Sequence, residues 1–137
     1  MHIATLNHDD MSCEIDHNST DGHVTGKVRY RVFEVGLISG RDEITVRSQF
    51  EAICALIDDG GMLRRGIIML GYHNGAFKGD VLLVDGEIIG EWVSDGEEWC
   101  HFTADGASKT SFSAPSPWML HDSIADWQKN NNSSDEA

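Results

Sequence analysis

The second half of the chain alternates short apolar segments with Asp-Gly turns, and this alternation most constrains the fold. DVLLV, EIIGEWV and EWCHFT follow one another, separated by Asp85-Gly86 and by the SDGE turn at residues 94–97. Asp105-Gly106 then precedes a last segment, SKTSFSA. Asp-Gly is a strong signal for a tight hairpin, because both residues tolerate the left-handed backbone such turns require. The sequence therefore predicts an antiparallel meander in this region.

Further strands are predicted upstream. KVRYRVFEVGLI, starting at Lys27, places apolar and basic residues at alternate positions, which is typical of a half-buried strand. DEITVR, after a turn at residues 39–41, is predicted to return as a second, short strand. GIIMLGY is apolar throughout and too short for a helix, so it is predicted to be a central strand.

Two helices are predicted from their caps and from their apolar period. In SQFEAICALIDDGG, Ser48 and Glu51 have capping-box spacing, and Gly60-Gly61 ends the helix. In SPWMLHDSIADWQ, Ser116 caps and Pro117 takes the first helical position, where its missing N–H is not needed. The predicted buried faces consist of Phe50, Ile53, Cys54 and Ile57 in the first helix and of Leu120, Ile124 and Trp127 in the second.

These elements predict an α+β fold, an antiparallel meander β-sheet of about six to seven strands packed with two α-helices. A chain of 137 residues suits one domain. Residues 1–26 lack a sustained period and are predicted to be an acidic N-terminal arm, with at most a short strand at residues 2–6. Residues 27–128 form the predicted domain, and residues 129–137 a disordered polar tail.

Charge is distributed unevenly along the chain. There are 23 acidic and 10 basic residues, a formal net charge of −13, and residues 79–137 alone carry −10. Such a surface repels phosphate backbones and anionic membranes and attracts basic proteins. The basic stripe Lys27, Arg29 and Arg31 is the candidate footprint for a nucleic acid, but we interpret it as a solvated strand face. Neither nucleic-acid binding nor membrane binding is predicted.

The predicted partner-binding surface combines the acids of the meander and of the last helix with two tryptophans. Aromatic anchors inside a charged rim are typical of protein interfaces. The alternative is that the acids serve solubility alone. The predicted residues are Asp80, Asp85, Glu87, Glu91, Trp92, Asp95, Glu97, Glu98, Trp99, Asp105, Asp122 and Asp126.

The stretch NHDDMSCEIDHNSTDGH raises the question of a metal site. It offers His8, Cys13, His17 and His23, of which only Cys13 and His17 approach the close pairing typical of zinc sites. We therefore interpret the stretch as acidic surface, and no metal or cofactor is predicted. The three widely spaced cysteines indicate free thiols in a reducing compartment. With no secretory signal at the N-terminus, cytoplasmic localisation is expected.

Catalytic motifs with a known mechanism are not found. The sequence has no G-x-S-x-G, no H-E-x-x-H and no phosphate-binding glycine loop. Cys100 and His101 are neighbours on a predicted strand, so they face opposite sides and cannot act as a pair. A non-enzymatic protein is predicted. A small metal-dependent or hydrolytic enzyme that uses His and Asp groups is the alternative.

In size, acidity and α+β architecture the chain resembles small inhibitors carried by phages and mobile elements, such as anti-CRISPR and antirestriction proteins. It equally resembles bacterial immunity proteins that neutralise a toxin. The resemblance concerns bulk properties and covers no particular residues. It implies an inhibitor that offers a negatively charged surface to a basic, nucleic-acid-binding protein. A subunit that assembles with its own copies through a sheet edge is a further alternative.

Overall fold

The computed structural model describes residues 1–18, 20–73, 75–97 and 99–135, the last five by their backbone only. Within these residues it has two helices and ten strands, so the predicted α+β class with antiparallel sheets is confirmed. The helices are α1 (Glu43–Asp58) and α2 (Pro117–Asp135). The strands are β1 (His2–His8), β2 (Met11–His17), β3 (Val24–Tyr30), β4 (Phe33–Gly40), β5 (Met62–Arg64), β6 (Ile67–Met69), β7 (Lys78–Leu83), β8 (Ile88–Ser94), β9 (Cys100–Ala104) and β10 (Phe112–Ala114).

The strands form two sheets, each a simple meander. One has four strands in the order β1-β2-β3-β4, and the other has six in the order β10-β9-β8-β7-β6-β5. All neighbouring strands are antiparallel. The sequence predicts a single meander of about six to seven strands. The described residues instead form ten strands in two meanders, and α1 links the two sheets.

Residues 1–26 form sheet structure and not the predicted arm. β1 and β2 pair as a hairpin, and β3 already begins at Val24. In β2, Met11, Cys13 and Ile15 are buried while the residues between them are only half-buried. This alternation covers few residues, and β1 beside it is an edge strand whose residues are exposed or half-buried. At the other end of the chain α2 continues to Asp135, so residues 129–135 are helical and not the predicted tail.

The segment after Lys27 is a hairpin and not one strand. β3 ends at Tyr30, Arg31 turns the chain with a φ of 57°, and β4 starts at Phe33. The next predicted strand, DEITVR, forms the start of α1. Asp42 is the N-cap there, because its Oδ1 accepts a hydrogen bond from the Thr45 backbone N–H at 2.8 Å. The helix therefore begins before Ser48, the predicted cap.

Each helix covers one sheet, and the resulting cores meet at β6. α1 buries Val46, Phe50, Ile53 and Cys54 against the four-stranded sheet. α2 buries Leu120, Ile124 and half-buried Trp127 against the six-stranded sheet, as predicted. The shared strand β6 is buried on both sides, since Ile68 belongs to the first core and Ile67 and Met69 to the second. GIIMLGY thus contains a buried strand with a neighbour on each side, as predicted, but the strand covers Ile67–Met69 only.

A glycine in β3 allows the first core to pack closely. A Cβ at Gly26 would lie 2.8 Å from the Cys13 Sγ and equally close to side-chain carbons of Ile38 and Val46. Any larger residue would push α1 away from the sheet. No helix of the described residues combines the length and the apolar character that a membrane crossing requires.

Candidate functional site

The pairing of β7 to β10 determines which side chains share the outer face of the six-stranded sheet. Asp80, Glu91 and Thr103 lie directly opposite one another on successive strands. A second row runs through Lys78, Val93, His101 and Ser113. The alternate positions on these strands face α2 and its core. We call this outer surface the open face, and it consists of Lys78, Asp80, Glu91, Val93, His101, Thr103 and Ser113.

Two carboxylates oppose each other at the centre of the open face. Asp80 and Glu91 are Cα partners across β7 and β8, and both are exposed. Like charges directly opposite each other destabilise a sheet by a few tenths of a kcal/mol to about 1 kcal/mol. Among the described residues no cation lies within ion-pair distance of either carboxylate. The arrangement is thus unfavourable for the isolated chain and suited to a cation brought by another molecule.

Exposed apolar side chains lie between this acidic pair and the β8–β9 turn. Val93 lies on the open face and is 45% exposed, and Trp99, in the β8–β9 turn, is 48% exposed. Phe77 is exposed at the same end of the sheet, where its carbonyl accepts a hydrogen bond from the Ser94 N–H. The Trp99 backbone N–H donates to the Asp95 Oδ1 at 3.3 Å, so this tryptophan lies beside Asp95 and about 13 Å along the strand from Glu91.

The other predicted tryptophan, Trp92, belongs to the core. It is 2% exposed, and its Nε1–H donates to the Leu70 carbonyl at 2.7 Å. The reason is the alternation of β8, in which Glu91 and Val93 point outward and Trp92 points towards α2. Trp92 therefore cannot contact a partner, and its place in the predicted surface is wrong.

The acids of the turns do not form one patch with the central pair. Asp85 and Asp95 each cap their own turn, accepting the backbone N–H of Glu87 and Glu97 at 2.9 and 2.8 Å. Asp85, Glu87 and Asp105 lie at one end of β8, since the Asp105 N–H donates to Ile89 at that end. Asp95 and Glu97 lie at the other end, a separation of about 20 Å for a seven-residue strand. Glu98 lies outside the described residues.

The two acids of α2 are neutralised within the chain. Asp122 accepts hydrogen bonds from Arg64 at 2.7 Å and from Arg65 at 3.2 Å, and Asp126 accepts one from Arg65 at 2.6 Å. Arg64 also stacks on Trp118, with 3.7 Å between the guanidinium carbon and the ring centre. These pairs attach α2 to the β5–β6 turn. They are structural, and they lie apart from the open face.

The open face also carries a chain of polar side chains that the sequence does not reveal. His101 Nδ1 lies 2.6 Å from the Ser113 Oγ, and its Nε2 lies 3.1 Å from the Asp95 Oδ2. This is the order of nucleophile, base and acid found in hydrolases. The sequence draws attention only to His101. Asp95 and Ser113 lie six and twelve residues away, and no sequence motif connects them to it. Three grooves found among the described residues are lined by other side chains.

The metal ligands considered in the sequence are not brought together. Cys13 points into the first core, where burial, the largest effect, raises the pKa of its thiol to about 11. Among the described residues one cluster has metal-ligand spacing, and it joins His8 to Asp9 and Asp58. Cys100 is buried while His101 faces outward, so the prediction that these two cannot pair is confirmed.

The basic stripe is largely matched by the chain's own acids. Arg29 lies 3.3 Å from Glu14, Arg31 lies 3.7 Å from Asp10, and Lys27 faces Glu14 across the strands. The open face therefore remains the candidate site, with unpaired charge beside exposed apolar groups. Comparison of the chain with protein-family models, curated proteins and solved structures gives no match.

Proposed function

We propose that the protein is a non-enzymatic binding protein whose open face presents negative charge to a basic protein partner. The observation that carries this proposal is the opposed pair Asp80 and Glu91, exposed beside Val93, with Trp99 exposed at the β8–β9 turn. A lysine or arginine of the partner, placed between the two carboxylates, would replace their repulsion by charge-assisted hydrogen bonds. Val93 and Trp99 would supply the apolar centre that protein interfaces need.

The net charge of the chain supports the same function at longer range. A formal charge of −13 attracts a basic partner before contact and so raises the association rate. The acids at the two ends of β8 would add to this attraction without contacting the partner group that binds between Asp80 and Glu91. Asp122 and Asp126 contribute less, because Arg64 and Arg65 neutralise them.

The class of partner follows from the charge. A groove that holds nucleic acid concentrates positive charge, and an acidic face can compete with the phosphates for it. We therefore propose an inhibitor of a nucleic-acid-binding protein, of the anti-CRISPR or antirestriction type. An immunity protein that neutralises a basic toxin would use the same face and is the alternative.

The test begins with capture of the partner from host lysate at low salt, followed by titration of the identified protein at several salt concentrations. The double variant Asp80→Asn/Glu91→Gln removes the central pair. Glu34→Gln/Glu51→Gln is the matched control, since it also removes two exposed negative charges but away from the open face. Loss of two close charge pairs should weaken binding at least about tenfold and reduce its salt dependence.

The control should bind nearly as tightly as the wild-type chain. Equal affinities for the two double variants would show that only the net charge matters, and the open face would be rejected as the binding surface. Val93→Ser and Trp99→Ser examine the apolar centre separately. Both should raise the dissociation rate, because truncation of buried interface anchors acts mainly on that rate.

A second candidate function, a serine hydrolase, is favoured by the contacts of His101 with Ser113 and Asp95. In that reaction the Ser113 Oγ would attack an ester carbonyl, and His101 would take the hydroxyl proton and return it to the leaving alcohol. Labelling with a fluorophosphonate tests it. Modification of Ser113 in the wild-type chain, retained in Ser111→Ala and lost in His101→Gln, would support a hydrolase. An unmodified Ser113 would exclude it.

A further inference from the structure

Three side chains from distant parts of the sequence meet at the end of α1. His8 is the last residue of β1, Asp9 follows it in the hairpin turn, and Asp58 is the last residue of α1. The His8 Nε2 lies 2.8 Å from the Asp58 Oδ2 and 3.8 Å from the Asp9 Oδ2. One ligand atom from each residue falls within 4.8 Å of the other two. Two donors of one Zn²⁺ ion lie at most about 4.4 Å apart, and the Asp9 side chain is 85% exposed, so a small rotation of it would bring all three donors to a common ion.

The local charge at this end of α1 is unfavourable without a cation. The helix ends in Asp58 and is capped by Asp59, and its last turn has no basic residue. The carboxyl end of a helix carries partial negative charge, so acids there are destabilising and a cation is stabilising. A cation held by Asp58 would reverse this effect.

A neighbouring thiol responds to the same negative charge. Cys54 lies one helical turn before Asp58, and its thiol pKa is raised to about 11. Burial is the largest cause, and the carboxylates of Asp58, Asp9 and Glu51 add to it. The Asp9 carboxylate of the hairpin and the Asp58 carboxylate of the helix thus both place negative charge near the Cys54 thiol.

The surroundings leave room for water. His8 and Asp58 line a groove of about 690 Å³ between β1 and α1, together with Glu51, Cys54 and Phe50. Three protein donors leave at least one coordination position of a metal ion open. Water from this groove would fill it.

We propose that His8, Asp9 and Asp58 form a binding site for a divalent transition-metal ion of the Zn²⁺ class. An imidazole nitrogen with two carboxylate oxygens suits Zn²⁺ and its neighbours, whereas Mg²⁺ and Ca²⁺ prefer oxygen alone. The ion would take the place of the direct contact between His8 and Asp58 and would link the β1–β2 hairpin to α1. The site lies on the other sheet from the open face, so it stands or falls independently of the proposed function.

Calorimetric titration of the metal-free chain with ZnCl₂ tests the site. We expect one Zn²⁺ per chain. His8→Asn and Asp58→Asn should each weaken binding at least about tenfold, because even residues that only support metal ligands contribute about 10- to 100-fold. Asp59→Asn is the matched control, since it removes a charge from the same helix end without removing a ligand. His23→Asn removes an exposed imidazole elsewhere and should have no effect.

Two results would overturn the proposal. One is the absence of saturable binding at millimolar Zn²⁺. The other is an equal loss of affinity in Asp59→Asn and Asp58→Asn, which would indicate attraction to an acidic surface without a defined site. Paramagnetic Co²⁺ provides a measurement on the unmodified chain. Amide NMR signals of residues 6–10 and 55–60 should be broadened first, and uniform broadening along the chain would contradict the site.

Discussion

The buried histidine of α2 should make the fold sensitive to acid. His121 has no exposed surface, and its Nε2–H donates to the Arg64 carbonyl at 2.7 Å. Its Nδ1 has no hydrogen-bond partner among the described residues. Burial, the largest effect, lowers the pKa to about 4 from 6.5, and the Arg64 guanidinium acts in the same direction. His121 is therefore neutral in the folded chain at pH 7.

The sign and size of the effect follow from linkage. Below pH 6.5 the unfolded chain binds a proton at this histidine, and the folded chain does not until about pH 4. The free energy of unfolding therefore falls as the pH is lowered through this window and is fully restored above it. At 1.36 kcal/mol for each pH unit between the two pKa values, the loss amounts to about 3 kcal/mol.

Urea unfolding at pH 7 and pH 4.5 measures this loss, and His121→Gln isolates it. Glutamine keeps an N–H donor for the Arg64 carbonyl but does not titrate. The variant should be less stable at pH 7, yet its free energy of unfolding should change less between the two pH values, by about 2 kcal/mol. His23→Gln, at an exposed position, should retain the wild-type difference. The same pH dependence in His121→Gln and in the wild-type chain would refute the reasoning.

Four further substitutions test the packing and the start of α1 by urea unfolding at pH 7. Gly26→Ala should destabilise the fold by about 1–3 kcal/mol, because its Cβ would meet core atoms at 2.8 Å, and an unchanged midpoint would mean that α1 can shift without strain. Trp92→Phe should lose about 1–3 kcal/mol, since the Leu70 carbonyl is left without its donor, and a neutral result would point to water in its place. Asp42→Ala should lose about 1 kcal/mol through the N-cap on Thr45, whereas Ser48→Ala should have almost no effect. A larger loss in Ser48→Ala than in Asp42→Ala would instead indicate that the helix begins at Ser48, as the sequence predicts.

The sequence predicts those elements whose geometry is determined by neighbouring residues. The Asp-Gly turns at Asp85 and Asp105 and the start of α2 at Pro117 all depend on local backbone preferences, and the structure has them where expected. The start of α1 is missed because Ile44, Thr45 and Val46 favour strands by composition. The cap at Asp42 and the burial of Val46 outweigh that preference.

The candidate sites depend on contacts that composition does not show. Alternation along β8 places Trp92 inside whenever Glu91 lies outside, so the burial of Trp92 can be predicted from the sequence. The position of Glu91 opposite Asp80 requires the register of β7 and β8, which the bulge between Val81 and Leu82 shifts. The contact of His8 with Asp58 spans fifty residues and depends on the packing of α1 over the first hairpin.

The double burial of β6 has a consequence for how the chain comes apart. Its three residues belong to both hydrophobic cores, Ile68 to the first and Ile67 and Met69 to the second. Unfolding of either sheet would expose the apolar side chains of β6 to water. Both sheets should therefore unfold in one cooperative step. A fragment that ends after α1 would lack Ile68, which completes the first core. The chain is built from two meanders, yet it should be indivisible as a folding unit.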